Sequence, residues 1–141
     1  MSSAGGTYPL EIYIVIGNNK VKNLEAGIYH YDPFKNSLAR ISNKDVRLSL
    51  TLVSLGQVWL RLAPATVVIS AIFERAYKRY SQRSMRYTDM EAGHASQNIY
   101  LQAVSLGLGT VAIGAFSDSK VKQVLGIKSI PLYLMPIGFP K

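Results

Sequence analysis

The fold is decided by residues 88–116, whose sequence is TDMEAGHASQNIYLQAVSLGLGTVAIGAF. Thr88 and Glu91 fit a capping box, in which a hydroxyl and a carboxylate bond the backbone N–H groups that a helix start leaves unpaired. Gly107 suits the left-handed position that follows a helix. The pattern therefore predicts a helix over residues 88–106 that begins at Thr88.

Apolar residues lie on more than one side of this predicted helix. Two sets recur at helical spacing: Met90, Gln97, Leu101 and Val104 on one face, and Ala92, Ala95, Ile99, Ala103 and Leu106 on another. Because apolar character nearly surrounds the axis, we expect the helix to be buried. A short extended run over residues 110–113 follows, and Gly114 breaks it.

The length and amino-acid composition exclude several classes of functional site. A chain of 141 residues is enough for one domain that buries roughly 70% of the surface its unfolded form exposes. It has no cysteine, which excludes disulfides, zinc–thiolate sites, iron–sulfur clusters and thiol nucleophiles. His30 and His94 form no metal-ligand motif, so no metal site is expected. His30 is interpreted as a surface or rim residue.

The charge points to an anionic partner. Sixteen Lys and Arg residues against eight Asp and Glu give a net charge of +8, which suits phosphate, nucleic acid or an acidic membrane. No apolar run reaches the roughly 20 residues that a transmembrane helix needs. The amino terminus lacks the pattern of a secretory signal, so a cytoplasmic location is expected.

Runs of β-branched residues predict strands, and 3.6-residue periodicity predicts helices. Strands are predicted at 10–16, 27–32, 37–41, 65–72, 110–113 and 132–137, and helices at 44–60, 88–106 and 118–125. This order is typical of a single-domain α+β fold. The strands are apolar on both faces, so we expect both faces of the sheet to be covered, in part by a second subunit.

A small-residue segment, SSAGGTYP, precedes the first strand. Its two glycines allow a ligand to approach the backbone closely, and the Ser2 and Ser3 hydroxyls can bond polar atoms of that ligand. We therefore predict a ligand-holding loop. The alternative is a disordered tail, because chain termini usually fray.

Residues 74–87, ERAYKRYSQRSMRY, combine basic and aromatic side chains. This mixture could bind single-stranded nucleic acid through charge and stacking. No recognised nucleic-acid motif accompanies it, however, so the favoured interpretation is a solvated connector that leads into the long helix.

Three segments together resemble a known family. The runs SSAGGTYPLEIYIVI, RYSQRSMRYTDMEAGHASQNIYLQAVSLGLGTVAIGAF and PLYLMPIGFP occur in the same order as their counterparts in the FMN-dependent nitroreductase family. The second run is similar to the SagB-type branch, which is related to azoline dehydrogenases. The resemblance implies a nitroreductase-like fold with a mainly antiparallel central sheet, flanking helices and an intertwined homodimer.

The resemblance also implies a cofactor and its contacts. It implies FMN in sites built from both subunits, with NADH or NADPH as the electron donor and a small-molecule electron acceptor. A hydride transfer of this kind requires no acid or base from the protein, so no catalytic residue is assigned. The resemblance implies that two segments contact the flavin. The segment at the ribityl side is Ser2, Ser3, Ala4, Gly5 and Gly6, and the segment at the ring is Ala112, Ile113, Gly114 and Ala115. In the second segment, a backbone N–H can bond the flavin nitrogen that accepts hydride.

The sequence departs from the family pattern in three places. The family carries an arginine-bearing helix ahead of the Ser-Ala-Gly-Gly loop, whereas this sequence starts at Met1, which makes a truncated flavin-binding or inactive paralogue the alternative. Phe139 stands where the last turn often has a basic residue, and Lys141 is a candidate cation for the phosphate. Arg79 and Tyr80 match the lysine–tyrosine pair of azoline dehydrogenases. Because arginine stays protonated, azoline oxidation is disfavoured.

Overall fold

The computed structural model describes residues 2–141, and its centre is one six-stranded sheet. The strands are β1 (Leu10–Ile16), β2 (Gly27–Asp32), β3 (Ser37–Ser42), β4 (Ala65–Ala71), β5 (Gly109–Thr110) and β6 (Ile130–Gly138). Their spatial order is β3-β2-β1-β4-β6-β5, and all neighbouring pairs are antiparallel. The predicted α+β class with an antiparallel sheet is confirmed.

Helices cover both faces of this sheet. They are α1 (Arg47–Leu52), α2 (Trp59–Leu62), α3 (Phe73–Tyr80), α4 (Ser84–Ser105) and α5 (Asp118–Leu125), with 3₁₀ turns at Ala4–Gly6 and Ser81–Arg83. Between residues 2 and 141, no helix is both long and apolar enough to cross a membrane.

The hydrophobic core has one cluster on each face of the sheet. On one face, Val15, Val68 and Leu134 pack in a buried cluster with Leu50 of α1 and Val121 of α5. Alternate residues of a strand point to opposite faces. The adjacent strand residues Ile69 and Met135 accordingly pack on the other face, in a cluster that contains Ala92 and Ala95 of α4.

All six predicted strands are observed, and some of them have shifted ends. Two match their predicted bounds, at 10–16 and 27–32. The strand predicted at 110–113 is shorter, because only Gly109–Thr110 pairs as a strand before Ile113 makes an isolated bridge to Leu134. The last strand is longer than predicted, at Ile130–Gly138.

The predicted start of the long helix is wrong. Helix α4 begins at Ser84, and Thr88 lies inside it with a buried hydroxyl that has no partner among residues 2–141. Glu91 is not part of a capping box, because its carboxylate accepts a hydrogen bond from Ser3 Oγ. Residues 74–87, predicted as a solvated connector, are mostly exposed and lead into α4, but they form α3 and a 3₁₀ turn, neither of which was predicted.

The helix predicted at 44–60 is two short helices. Leu55 and Gly56 both have positive φ, at 56° and 69°, between α1 and α2. A right-handed helix cannot continue through such residues.

One face of α4 is exposed, contrary to the expectation that the helix is buried all round. Leu101 and Val104 are 61% and 72% exposed, and Met90 is also exposed. Of the other predicted face, Ala92, Ala95 and Ala103 are buried, whereas Leu106 at its end is 60% exposed. The chain therefore presents an apolar helix face that it does not itself cover.

Candidate functional site

A cleft of about 780 Å³ opens beside residues 112–115, which we call the 112–115 turn. Its volume lies within the range of small-molecule pockets, roughly 300–1,000 Å³. All four predicted residues of the turn line it: Ala112, Ile113, Gly114 and Ala115. A second concavity of about 640 Å³, at the turn that joins β1 to β2, contains none of the predicted site residues.

The first half of the turn is tied to the body of the protein. Ala112 donates its backbone N–H to the hydroxyl oxygen of Tyr100 at 2.7 Å. Ile113 and Leu134 exchange two backbone hydrogen bonds, at 2.9 and 3.0 Å. The turn is therefore anchored to α4 on one side and to β6 on the other.

The second half of the turn presents unused polar groups to the cleft. The backbone N–H groups of Gly114 and Ala115 donate to no acceptor within residues 2–141. Thr110, which also lines the cleft, has a buried hydroxyl without a partner in the same range. The Thr110 hydroxyl is a buried group that is normally hydrogen-bonded, whereas Gly114 and Ala115 are exposed residues whose N–H groups are open to a partner. All three can donate to a ligand with acceptor atoms at its edge.

Packing within the chain does not require the glycine at position 114. A Cβ atom there would lie 3.6 Å from Tyr133 Cε1, which is an ordinary contact. The small residue instead leaves the backbone open to the cleft, as close approach by a flat ring requires. The turn thus fits the flavin ring that the sequence resemblance implies.

Aromatic side chains flank the mouth of the cleft. Trp59 and Phe139 line it and are 59% and 84% exposed. Lys141 also lines it, and so places a positive charge beside the apolar surface. Trp59 carries no signal of a site residue in the sequence, because it is distant along the chain from the turn.

An ion pair holds one wall of the cleft. Arg47 donates to Asp45 and also to the backbone oxygens of Arg61 and Ala63, the second of which lines the cleft. The hydrogen bond from Arg47 lowers the pKa of Asp45 from 3.8 to about 2, against the opposing effect of burial. The charged form of Asp45 is therefore part of the folded arrangement.

The other predicted segment, residues 2–6, is an ordered loop, which we call the glycine loop. Ser3 Oγ donates to Glu91 Oε2 at 2.8 Å and accepts from the backbone N–H of Tyr8 at 3.0 Å. Gly5 and Gly6 have φ of 56° and 65°, values that favour glycine. The alternative prediction for this segment, a disordered tail, is therefore wrong.

The glycine loop and the 112–115 turn do not meet within one chain. The glycine loop precedes the Leu10 end of β1, whereas the cleft lies at the opposite end of the sheet, beside the last residues of β6. Along α4, the loop contacts Glu91 and the turn contacts Tyr100, which are about 13 Å apart at the helical rise per residue. Ser2, Ser3, Ala4, Gly5 and Gly6 are thus outside the cleft of their own chain.

The histidines take no part in this cleft. His30 lies at the rim of the sheet, where its Nε2 is 2.5 Å from Glu11 Oε2 and its ring stacks on Tyr13. Arg75 bonds the other oxygen of the same carboxylate at 2.5 Å. His94 is exposed on α4.

The antiparallel sheet with helices on both faces and a cleft beside a small-residue turn defines the class of fold, and sequence comparison identifies its family. The profile of the nitroreductase family matches residues 1–139, so this chain belongs to the nitroreductase family. A protein of Methanocaldococcus jannaschii, MJ1384, whose assignment as a nitroreductase is provisional, is 46% identical over 136 residues, which cover 96% of this chain and 68% of that protein.

Other relatives include proteins of microcin synthesis and a further protein described as a nitroreductase. The microcin B17-processing protein McbC of Escherichia coli is 28% identical, over 89% of this chain and 47% of that protein. Among solved structures, a protein of Anabaena variabilis described as a nitroreductase superposes with a TM-score of 0.87 at 36% identity, over 94% of this chain and 27% of that one. The E. coli microcin synthetase McbBCD complex, with truncated pro-MccB17 bound, matches with the same TM-score at 28% identity, over 99% of this chain and 55% of that one. This chain therefore spans only part of the length of these relatives.

Proposed function

We propose that this chain is an FMN-dependent oxidoreductase that passes reducing equivalents from NADH or NADPH to an electrophilic small-molecule acceptor. The observation that carries the proposal is the 112–115 turn, whose Gly114 and Ala115 N–H groups face a cleft of the right size with no partner in the described chain. Membership of the nitroreductase family supports the same chemistry.

The protein's contribution is binding and orientation. Bound flavin supplies hydride-transfer chemistry, so the chain need not provide an acid or a base. The free N–H donors of the turn would hold the edge of the ring, and the apolar walls would exclude water from it. Lys141 would balance negative charge on the cofactor.

The complete site requires two copies of the chain. The glycine loop and the 112–115 turn lie at opposite ends of one sheet, and the exposed apolar face of α4 lacks a covering element. Apolar patches of this kind mark interaction surfaces. A homodimer would bury that face and bring the glycine loop of one copy to the cleft of the other.

An alternative is a flavin-binding protein without turnover. The two hypotheses are distinguished by measuring the steady-state oxidation of NADH and NADPH. The assay uses nitroaromatic and quinone acceptors, with and without added FMN. The proposal predicts oxidation that requires both FMN and an acceptor. Flavin binding without any FMN-dependent oxidation would favour the alternative.

A second candidate is action on a peptide precursor, which would place the chain in the SagB-type branch. Two relatives are named as processing proteins, for microcin B17 and for trifolitoxin, and one structural neighbour was solved with truncated pro-MccB17 bound. Arg79 argues against azoline oxidation here, because a guanidinium is a poor proton acceptor. Conversion of an azoline-containing peptide by the FMN-loaded protein would favour this candidate.

A further inference from the structure

Gln57 is the side chain that reaches the second half of the 112–115 turn. Its Nε2 donates to the backbone oxygen of Ala115 at 2.9 Å and to that of Ser54 at 2.9 Å. Both partners are acceptors, so the amide nitrogen and not the amide oxygen must face them. Gln57 thus links the α1–α2 connection to a turn 58 residues further along the chain.

The stretch from Gly114 to Phe116 has few other hydrogen bonds, although the Phe116 side chain packs against the core. Ile113 is bonded to Leu134, and the next backbone hydrogen bond to the body of the protein within residues 2–141 is from Ser117 N–H to Val53 O at 3.2 Å. Between those two points, the carbonyl of Ala115 is held by Gln57 alone in the part of the chain that is described. Gln57 is therefore the one side chain of residues 2–141 that hydrogen-bonds the backbone next to the free N–H groups of Gly114 and Ala115.

Tyr100 holds the opposite end of the same turn. Its hydroxyl accepts the N–H of Ala112, a residue that lines the cleft. Tyr100 thus holds the peptide before Ala112, and Gln57 holds the peptide between Ala115 and Phe116. The Gly114 and Ala115 N–H groups lie between these two contacts and have no acceptor within residues 2–141.

We infer that Gln57 is a positioning residue that fixes the 112–115 turn so that the Gly114 and Ala115 N–H groups point at the edge of the bound flavin. The inference rests on the proposed function for the identity of the ligand. The clamp itself is a property of the polypeptide and can be tested without flavin.

The test compares Gln57→Glu and Gln57→Met with wild type. Both variants keep the length of the side chain and remove the donor, and Gln57→Glu also sets a carboxylate against two carbonyl oxygens. Gln123→Glu and Gln123→Met, on the exposed surface of α5, are the matched controls. Amide hydrogen exchange in the protein without flavin reports the turn directly, and FMN affinity and the midpoint potential of the bound flavin report its effect on the ligand.

In both Gln57 variants the Ser117 amide is expected to exchange roughly threefold to tenfold faster, since the hydrogen bond that holds the Ala115 carbonyl is lost. FMN affinity is expected to fall by a similar factor and the midpoint potential to move, while both controls match wild type. Exchange, affinity and potential all equal to wild type would overturn the inference and leave the proposed function intact. An effect of Gln57→Glu alone would also overturn it, because the cause would then be charge and not loss of the donor.

Failure of the proposed function has a different signature. If wild-type protein takes up no FMN, the exchange measurement still decides whether Gln57 holds the turn. Faster exchange in both Gln57 variants would then support the clamp, and unchanged exchange would reject it.

Discussion

Arg79 packs against the backbone of Gly5, so that its Cδ lies 2.6 Å from the position that a Cβ atom on Gly5 would occupy. The hydroxyl of Tyr80 lies 2.5 Å from the same point. Arg79 and Tyr80, the pair that resembles the lysine and tyrosine of azoline dehydrogenases, therefore pack against the glycine loop.

Replacement of Gly5 by alanine should destabilise the protein more than the same change at Gly6. Both glycines have positive φ, which costs alanine about 1 kcal/mol. Only Gly5 adds a steric conflict, because the nearest atom to a Cβ on Gly6 is 4.0 Å away. Arg79 and Tyr80 can relieve that conflict by changing their side-chain torsions, at an extra cost of about 1 kcal/mol. Chemical denaturation of both variants measures the difference. Equal losses would show that Arg79 and Tyr80 do not constrain the loop.

Replacement of Gly114 by leucine should weaken FMN binding while the protein stays folded. The added side chain would extend into the cleft from the turn that faces the flavin ring, and we expect a loss of roughly tenfold or more in affinity. Gly114→Ala is the control, because a Cβ there makes only an ordinary contact with Tyr133. FMN titration followed by fluorescence, together with the melting temperature, is the measurement. Unchanged affinity in the leucine variant would remove the turn from the flavin site.

Substitution of Leu101 or Val104 by glutamate should dissociate the homodimer. These exposed side chains would be buried between two copies, and an unpaired carboxylate there is costly. Gln102→Glu, on the same helix, adds the same charge at an exposed polar position. Light scattering after size exclusion should report a monomer for the first two variants and a dimer for the control. A dimer in all three would place the interface elsewhere.

The Asp45–Arg47 ion pair should make stability fall in acid. The folded pKa of Asp45, about 2, lies below its ordinary value of 3.8, so the stabilisation is present above about pH 4 and is lost as the pH falls towards 2. We expect about 1 kcal/mol at pH 7, after allowance for solvent screening of a partly exposed pair. Asp45→Asn should therefore be less stable than wild type at pH 7 and should converge with it near pH 2. A difference that stays constant across this range would contradict the assignment.

The sequence predicted the sheet well, because β-branched apolar runs such as 10–16 and 65–71 have few alternatives to a buried strand. The helix at 118–125 was also predicted with its observed bounds, whereas the start of the long helix was missed for a local reason. Thr88 and Glu91 have the spacing of a capping box, but Glu91 is used by Ser3, which lies 88 residues away. Such a contact is invisible to pattern analysis within one segment.

The site was predicted in part for a similar reason. The glycine loop and the 112–115 turn carry local signals, namely small residues and a family resemblance. Gln57, Tyr100 and Trp59 carry none, because their roles come from contacts with the turn that only the folded chain creates. A glutamine between two short helices predicts a surface residue, and its function as a clamp depends on the path of a distant segment.

The visible absorption spectrum of the purified protein tests the central claim most directly. FMN is added, excess is removed, and the spectrum is recorded before and after anaerobic addition of NADH or NADPH. Flavin-specific absorbance that co-purifies and bleaches on reduction is the predicted result, since it requires both a bound cofactor and electron transfer to it. A colourless protein that takes up no FMN would contradict the claim that this cleft is a flavin site.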